Sequence, residues 1–171
     1  GKIIGVMKAY STRVGEGPLP TEFEREFGDR FREWVGEFGA TTGRPRRCGW
    51  LDLPALRFGV RMSGMDGLAL TKLDVLCGFD EVMLCTGYRL DGVLLDEPPI
   101  DLDDLKRAAP VFERFPGWGP LPTSVRSLHD LPAPARRYID AIADGAGVPL
   151  TLVSIGPDRR QTVLLGDPFA A

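Results

Sequence analysis

Short apolar runs alternate along this chain with segments whose hydrophobic residues recur at helical spacing, and this alternation constrains the fold more than any other feature. The runs Lys2–Met7, Leu68–Leu73 and Val148–Ile155 are each long enough for one buried strand. Strands that alternate with helices favour parallel pairing, because the intervening helix carries the chain back across the sheet. The sequence therefore predicts an α/β fold with a mostly parallel sheet flanked by helices.

Capping signals predict where the helices begin and end. Thr21 and Glu24 have the spacing of a capping box, and the aromatic residues that follow at helical spacing predict a helix with a buried aromatic face that ends at Gly36. Asp52, followed by a proline two positions later, predicts the start of a second helix. The stretch Pro134–Asp144 carries apolar residues on one face and predicts another helix.

Turn and loop signals complete the predicted architecture. Asp91-Gly92 lies between the strand-like runs Glu81–Leu90 and Val93–Leu95, and this pair is a strong signal for an antiparallel hairpin. Glycines and prolines over Ser11–Pro20 predict an extended loop. The mixture of prolines, glycines and charges from Asp101 to Leu131 predicts a surface elaboration with short helical pieces. We expect one α/β segment over residues 1–171, with an antiparallel hairpin added to its sheet.

Charge and hydropathy argue against two classes of partner. The formal net charge is −3 and the pI is near 5.2, so the chain has no general attraction for nucleic acid or for an anionic membrane surface. No apolar run approaches the roughly 20 residues that a membrane helix needs, and the start lacks the pattern of a signal peptide. We therefore expect no nucleic acid and no membrane among its partners, and any anion site must be local.

Cysteine and histidine usage points to a reduced compartment. Cys48, Cys77 and Cys85 form no C-x-x-C pair, which is typical of buried thiols in the cytoplasm. His129 is the only histidine, so a histidine-rich metal site is excluded and we expect a surface position for it. The chain begins on a strand-like run without an initiator methionine, as a segment of a longer protein would. We expect a cytoplasmic protein of which this chain is a part.

The stretch Gly39–Trp50 gathers cations in an acidic chain. Arg44, Arg46 and Arg47 follow a pair of threonines that is flanked by glycines. Guanidinium groups match carboxylate and phosphate oxygens in bidentate geometry, and glycines let backbone amides approach the same anion. A solvated face is the alternative for any charge cluster. The glycines favour a site for a small, multiply anionic ligand.

Two predicted strand ends carry residues that suit a purine base. In Thr71–Asp74 the aspartate can accept from the ring N–H and exocyclic amine of guanine, while the lysine stem packs along the base. In Ser154–Pro157 a backbone N–H can meet the guanine oxygen. Taken singly, each stretch is better explained as an ordinary solvated turn.

Five segments occur in an order shared with a known family: KAYSTRVG (8–15), GATTGRPRRCGW (39–50), TKLDVL (71–76), PGW (116–118) and GPDR (156–159). Together they resemble the adenylosuccinate synthetases, and the resemblance runs from one end of this chain to the other. It implies the C-terminal part of a P-loop-NTPase-like fold. It also implies an enzyme that uses GTP and Mg²⁺ to join inosine monophosphate (IMP) to L-aspartate, by phosphorylating the purine oxygen and then displacing that phosphate with the amine of aspartate.

The resemblance also implies roles for individual residues. The stretch 40–46 would close on aspartate, with the threonines and the first arginine near its carboxylates, and the arginines would neutralise the dicarboxylate and the transferring phosphoryl group. The aspartate and IMP sites would comprise Val14, Ala40, Thr41, Thr42, Gly43, Arg44, Pro45 and Arg46. The GTP site would comprise Arg46, Lys72, Leu73, Asp74, Ser154, Ile155 and Gly156.

The family's phosphate loop, Gly-Asp-Glu-Gly-Lys-Gly-Lys, does not occur in these 171 residues. The catalytic aspartate, the catalytic histidine and the Mg²⁺ ligands that the resemblance implies are missing together with this loop. We therefore expect this polypeptide to be inactive by itself and to carry no catalytic or metal-binding residue. The complete enzyme is expected to be a homodimer. The alternative functions are a guanine-nucleotide-binding module without chemistry and a structural remnant without a ligand.

Overall fold

The structure is a computed structural model that describes residues 1–166. Helices and strands alternate along most of this part of the chain. The helices are α1 (Arg25–Val35), α2 (Leu53–Ser63), α3 (Leu102–Arg107) and α4 (Ala133–Ala146). The strands are β1 (Ile4–Lys8), β2 (Ser11–Arg13), β3 (Arg47–Gly49), β4 (Leu51–Asp52), β5 (Gly67–Thr71), β6 (Glu81–Leu90), β7 (Val93–Leu95), β8 (Ala109–Pro116), β9 (Leu150–Ser154) and β10 (Thr162–Leu164).

A four-stranded sheet in the order β1-β5-β9-β10 forms the centre of the fold. β5 pairs in parallel with β1 and with β9, and β10 closes the edge antiparallel to β9. Leu68, Leu70 and Val153 of this sheet are fully buried. The α/β class and the mostly parallel central sheet are confirmed, and parallel pairing brings the carboxyl ends of β1, β5 and β9 to one edge.

A second sheet is built around the long strand β6. β8 covers one edge of β6 along Glu81–Arg89, while β4 and β7 pair with different parts of β6. The hairpin at Asp91-Gly92 is confirmed, and both residues have positive φ (49° and 84°) as its turn requires. The prediction that 101–131 is only surface elaboration was wrong, because the eight-residue strand β8 lies within it. Its proline-bounded, charge-interrupted sequence lacks the apolar alternation that marks a strand, and pairing with β6 decides its conformation.

The predicted capping residue starts the helix at α2 but not at α1. Asp52 caps α2 by accepting from the Ala55 N–H at 3.0 Å, as its sequence indicates. The capping box at Thr21 and Glu24 was a wrong prediction, because Thr21 lies in a turn where its carbonyl accepts from the Trp50 N–H at 3.0 Å, and Glu24 takes the cap position. α1 therefore begins only at Arg25, although it does end at Gly36 in the left-handed conformation (φ 70°).

Most of the aromatic face of α1 is buried, as predicted, but its last member is not. Phe31 of α1 and Phe23, which precedes the helix, are buried and in contact with each other, and Phe23 also contacts the ring of Trp50. Trp34 is 59% exposed, so its prediction as a core residue was wrong. Its ring contacts Phe31 and Phe79 at centroid distances of 6.1 and 5.8 Å and leaves the rest of the indole uncovered.

Two short strands lie in segments that the sequence indicated only as loops. β2 lies at the start of the predicted loop Ser11–Pro20, and β3 lies near the end of the arginine-rich stretch 39–50. These two strands pair antiparallel. Strands of three residues are too short for any hydrophobic periodicity to mark them. Their pairing fixes the base of the arginine-rich loop against the end of β1.

The helix α4 and two of the three thiols agree with the sequence-based expectations, whereas Cys77 is only half-buried. Cys48, Cys77 and Cys85 are free, and burial raises the pKa of the Cys48 thiol to about 11 and that of Cys85 to about 12, so neither is a reactive thiolate near neutral pH. The fully buried Tyr138 of α4 donates to the Ala9 carbonyl at 2.8 Å, which locks α4 onto the end of β1. Among residues 1–166 no helix is long and apolar enough to cross a membrane.

Candidate functional site

A cavity of about 590 Å³ opens at the carboxyl ends of β5 and β9. In a parallel sheet this edge is where ligands usually bind, because the loops that leave neighbouring strands diverge there. Four of the residues that the resemblance assigns to the GTP site line this cavity. Its lining consists of Trp34, Val35, Thr71, Lys72, Asp74, Val75, Ser154, Gly156 and Pro157.

The turn after β5 presents Lys72 and Asp74 to this cavity through an unusual backbone conformation. Lys72 has φ 61° and ψ 34°, a left-handed conformation that non-glycine residues rarely adopt and that costs of the order of 1 kcal/mol. The cost is offset because Leu73, at the start of a short 3₁₀ helix, is fully buried and anchors the turn. The side chain of Leu73 therefore belongs to the core, and only its backbone is available to a ligand.

The turn after β9 forms the opposite wall of the cavity. The Ser154 hydroxyl donates to the Gly156 carbonyl at 3.0 Å, which tightens the turn. Ile155 is buried, and its N–H already donates to the Gln161 carbonyl at 2.9 Å. A backbone donor for a ligand at this turn is therefore better sought at Gly156, which lines the cavity.

A buried carboxylate, Glu37, lies beside this cavity and gathers several donors. Glu37 is 1% exposed and accepts from Lys8 Nζ at 2.7 Å, from the Tyr10 hydroxyl at 2.5 Å and from Arg46 at 2.8 Å. Lys72 Nζ lies 3.8 Å from the same carboxylate. Burial alone would raise the pKa of Glu37, but the hydrogen bonds from Lys8, Tyr10 and Arg46 outweigh it and lower the pKa to about 2.

The arginine-rich loop is closed at its base and open at its tip. The Gly39 N–H donates to the Arg44 carbonyl and the Gly43 N–H to the Gly39 carbonyl, both at 2.8 Å. Gly43 has φ 64°, so it meets a backbone requirement, whereas Gly39 has no positive φ. The residues from Ala40 to Pro45 are largely exposed. Within residues 1–166 the Arg44 guanidinium has no ion-pair partner, so its charge is available to a ligand.

The three arginines of the loop have different surroundings. Arg46 is bound to Glu37, while Arg47 is tied to Glu22 by two hydrogen bonds and donates to the Gly17 carbonyl at 2.6 Å. Arg47 therefore stabilises the structure around β2 and β3. For this arginine the alternative to a ligand site is the better explanation. Arg44, which has no ion pair within residues 1–166, and Arg46, whose side chain is 31% exposed, remain the candidates for an anion site.

Only some of the predicted site residues lie close together in the structure. Lys72, Asp74, Ser154 and Gly156 surround one cavity, and Arg46 meets Lys72 through Glu37. Val14 is 54% exposed and lies, like the tip of the arginine-rich loop, outside the cavity lining. In residues 1–166 no group of three or more Asp, Glu, His or Cys side chains could hold a metal ion.

Sequence reasoning missed Glu37 and Lys8, which organise the cations, and assigned Trp34 to the core. Glu37 lies two residues before the stretch that holds the arginine-rich loop, and that position is the only signal the sequence offers for it. Its burial and its bonds to β1 and to the turn after β5 depend on the tertiary fold. An acidic residue next to basic ones is usually a solvated surface charge.

Together these features describe an α/β protein in which a cation-rich loop lies next to a cavity at the carboxyl edge of the sheet, the position where such folds usually bind ligands. The model of the adenylosuccinate synthetase family matches residues 1–163. The chain therefore belongs to the adenylosuccinate synthetase family.

Individual relatives agree with the family match. The adenylosuccinate synthetase of Geotalea daltonii is 51% identical over 170 residues, which are 99% of this chain and 39% of the relative. Adenylosuccinate synthetase 1 of Chromobacterium violaceum is 54% identical over 165 residues, or 96% of this chain and 38% of the relative. The solved structure of fully ligated adenylosuccinate synthetase from Plasmodium falciparum aligns with a TM-score of 0.89 at 38% identity, over 96% of this chain and 40% of that one. This chain thus spans about two-fifths of the length of these relatives.

Proposed function

We propose that this chain supplies the aspartate loop and the guanine site of an enzyme that uses GTP to ligate IMP and L-aspartate into adenylosuccinate, a step of AMP biosynthesis. Membership of the synthetase family supports the reaction, and the chemistry of the site supports this division of labour. The observation that carries the proposal is that Arg46 and Lys72 meet the same buried carboxylate, Glu37. This contact brings the proposed anion loop next to the proposed base cavity, as a transfer between GTP and IMP requires.

The arginine-rich loop is the proposed site for aspartate and for part of IMP. Two carboxylates and a phosphoryl group place several negative charges in a small volume, and guanidinium groups stabilise such charges best where water is excluded. The unpaired Arg44 and the exposed hydroxyls of the two threonines suit the carboxylates. The residues assigned to this site are Val14, Ala40, Thr41, Thr42, Gly43, Arg44, Pro45 and Arg46.

The cavity at the ends of β5 and β9 is the proposed guanine site. Its volume of about 590 Å³ lies within the range of small-molecule sites. The Asp74 carboxylate can accept from the ring N–H and the exocyclic amine, and Lys72 can pack along the base. Arg46 extends this site towards the phosphates. The residues assigned here are Arg46, Lys72, Leu73, Asp74, Ser154, Ile155 and Gly156.

Mg²⁺ belongs to the reaction that we propose, but the side chains of residues 1–166 do not fit the ion, since none of their acidic, His or Cys groups form a set of ligands. No role towards the metal is therefore assigned to this chain, and no catalytic residue is either. We propose in addition that the complete enzyme is a cytoplasmic homodimer, for which membership of the family is the support.

The test of this function uses a chimera in which this chain replaces the matching segment of the Geotalea daltonii relative. We expect the chimera to form adenylosuccinate from IMP, aspartate, GTP and Mg²⁺, followed by absorbance, and the 171-residue polypeptide alone to form none. An inactive chimera that is folded would contradict the proposal. Turnover by the polypeptide alone at the rate of the chimera would contradict the division of labour.

Binding of GTP to the polypeptide alone can be measured without turnover. Trp34 lines the cavity and is exposed, whereas Trp50 and Trp118 are buried, so ligand-dependent quenching of tryptophan fluorescence reports on Trp34. We expect GTP to quench this fluorescence and the variant Trp34→Phe to lose the change. Binding to the polypeptide together with an inactive chimera would favour the alternative of a guanine-nucleotide-binding module without chemistry.

A further inference from the structure

Glu37 contacts four side chains from three separate parts of the chain. Lys8 ends β1, Tyr10 follows it, Arg46 ends the arginine-rich loop, and Lys72 forms the turn after β5. The carboxylate is 1% exposed, while the side chains of Lys8, Arg46 and Lys72 remain 25%, 31% and 41% exposed. The cations therefore stand between the buried carboxylate and the solvent, and a ligand can reach them from the solvent side.

The charges in this cluster do not cancel. Three cationic side chains surround one carboxylate, so two positive charges remain to attract an anionic ligand. Without Glu37 the cations would repel one another and would have no common anchor, because like charges at this spacing destabilise the arrangement. Their positions relative to each other depend on Glu37.

We propose that Glu37 is a positioning residue that holds Arg46 and Lys72 in register, and so couples the aspartate loop to the guanine site. Glu37 lies behind the cations and does not touch a substrate. This inference rests on the proposed function, since it assigns those two cations to the two ligands. It follows that loss of the Glu37 charge disturbs the use of both GTP and aspartate.

A purely structural role for Glu37 makes a different prediction. If Glu37 only stabilised the fold, its neutral variant would lower the melting temperature and leave the KM values of the folded fraction unchanged. Asp52 offers a matched control, because it is also a buried carboxylate that accepts from a tyrosine hydroxyl, Tyr88, at 2.5 Å. Asp52 contacts none of the cations of the proposed site.

The kinetic test compares Glu37→Gln, Glu37→Asp and Asp52→Asn in the chimera, with folding followed by circular dichroism. We expect Glu37→Gln to raise the KM for GTP and for aspartate about tenfold each, the effect of losing a charge-assisted hydrogen bond. Glu37→Asp, which keeps the charge on a shorter stem, should lie between this variant and the wild type, and Asp52→Asn should match the wild type. Unchanged KM values for both substrates in folded Glu37→Gln would overturn the proposal. If Glu37→Gln does not fold, wild-type KM values in Glu37→Asp would overturn it.

A second measurement does not depend on activity. Trypsin must take an arginine side chain into its own pocket, so the bond between Arg46 and Glu37 protects the peptide bond after Arg46. Cleavage after Arg44 is blocked by Pro45. Under native conditions we expect Glu37→Gln to speed cleavage after Arg46 several-fold more than cleavage after Arg47, which pairs with Glu22, as measured by mass spectrometry.

The two measurements separate the failure of the inference from that of the proposed function. Equal cleavage after Arg46 in the wild type and in Glu37→Gln would overturn the positioning role even if the chimera is active. An inactive wild-type chimera would instead overturn the proposed function, while faster cleavage after Arg46 in Glu37→Gln would still support the positioning of the loop by Glu37.

Discussion

Neutralising Glu37 should have a measurable cost in stability whose size follows from its surroundings. Glutamine resembles protonated glutamate in shape and charge, so the cost of Glu37→Gln approximates the free energy that the charged form contributes. The pKa of Glu37 is lowered from an ordinary value of 4.5 to about 2. At 1.36 kcal/mol for each tenfold change in proton affinity, this corresponds to about 3 kcal/mol at neutral pH. We expect a fall in melting temperature of about 6–12 °C for a chain of this size.

The pH dependence of this cost has a definite sign. Because the pKa of Glu37 is lower in the folded state, its contribution is fully present above pH 4.5 and is lost as the pH falls towards 2. The difference in stability between the wild type and Glu37→Gln should therefore shrink to about half by pH 3. For Asp52, burial raises the pKa above its ordinary value of 3.8, against the opposing hydrogen bond from Tyr88. The wild type should thus gain stability relative to Asp52→Asn as the pH falls, which is the opposite sign.

Urea unfolding of the 171-residue polypeptide, followed by circular dichroism from pH 3 to pH 7, measures both differences. Equal m values in the wild type and the variants would show that the comparison concerns the folded state. A loss for Glu37→Gln of less than about 1 kcal/mol at pH 7, the range of an exposed ion pair, would refute the reasoning. So would a loss that stays constant down to pH 3.

Three further predictions concern single residues. In the chimera, Asp74→Asn should lower kcat/KM for GTP and raise it for xanthosine triphosphate about tenfold, because the asparagine amide can donate to the oxygen of xanthine. An unchanged preference for GTP would show that Asp74 does not contact the base. Arg44→Leu should raise the KM for aspartate about tenfold and that for GTP much less, and unchanged aspartate kinetics would exclude the loop from the site. Gly117→Ala should destabilise the chain by about 2–3 kcal/mol in urea unfolding, since an added Cβ would overlap the Phe79 carbonyl oxygen, whereas Gly119→Ala, with open space around it, should not.

Local sequence signals were enough for the parts of the fold in which one physical rule dominates. The strands β5 and β9, the hairpin at Asp91-Gly92 and the cap of α2 at Asp52 follow from hydrophobic runs, positive φ and a side-chain acceptor. The first apolar run also forms a strand, β1, but this strand lies at the edge of the sheet and leaves Val6 77% exposed, so its predicted burial was wrong. The same rules failed where partners distant in sequence decide the conformation. Thr21 has the residues of a capping box near it but lies in a turn that is bound to Trp50, and β8 takes its conformation from β6.

For the site, the sequence by itself determined which chemical groups are present and at which ends of which strands. Lys72 and Asp74 come directly after β5 and Ser154 ends β9, so parallel pairing was sufficient to bring them to one edge of the sheet. Only the tertiary structure decided which charges meet. Glu37 looks like an ordinary surface carboxylate in the sequence, and it becomes the anchor of the cations because packing excludes water from it and brings β1, the arginine-rich loop and the turn after β5 to its two oxygens.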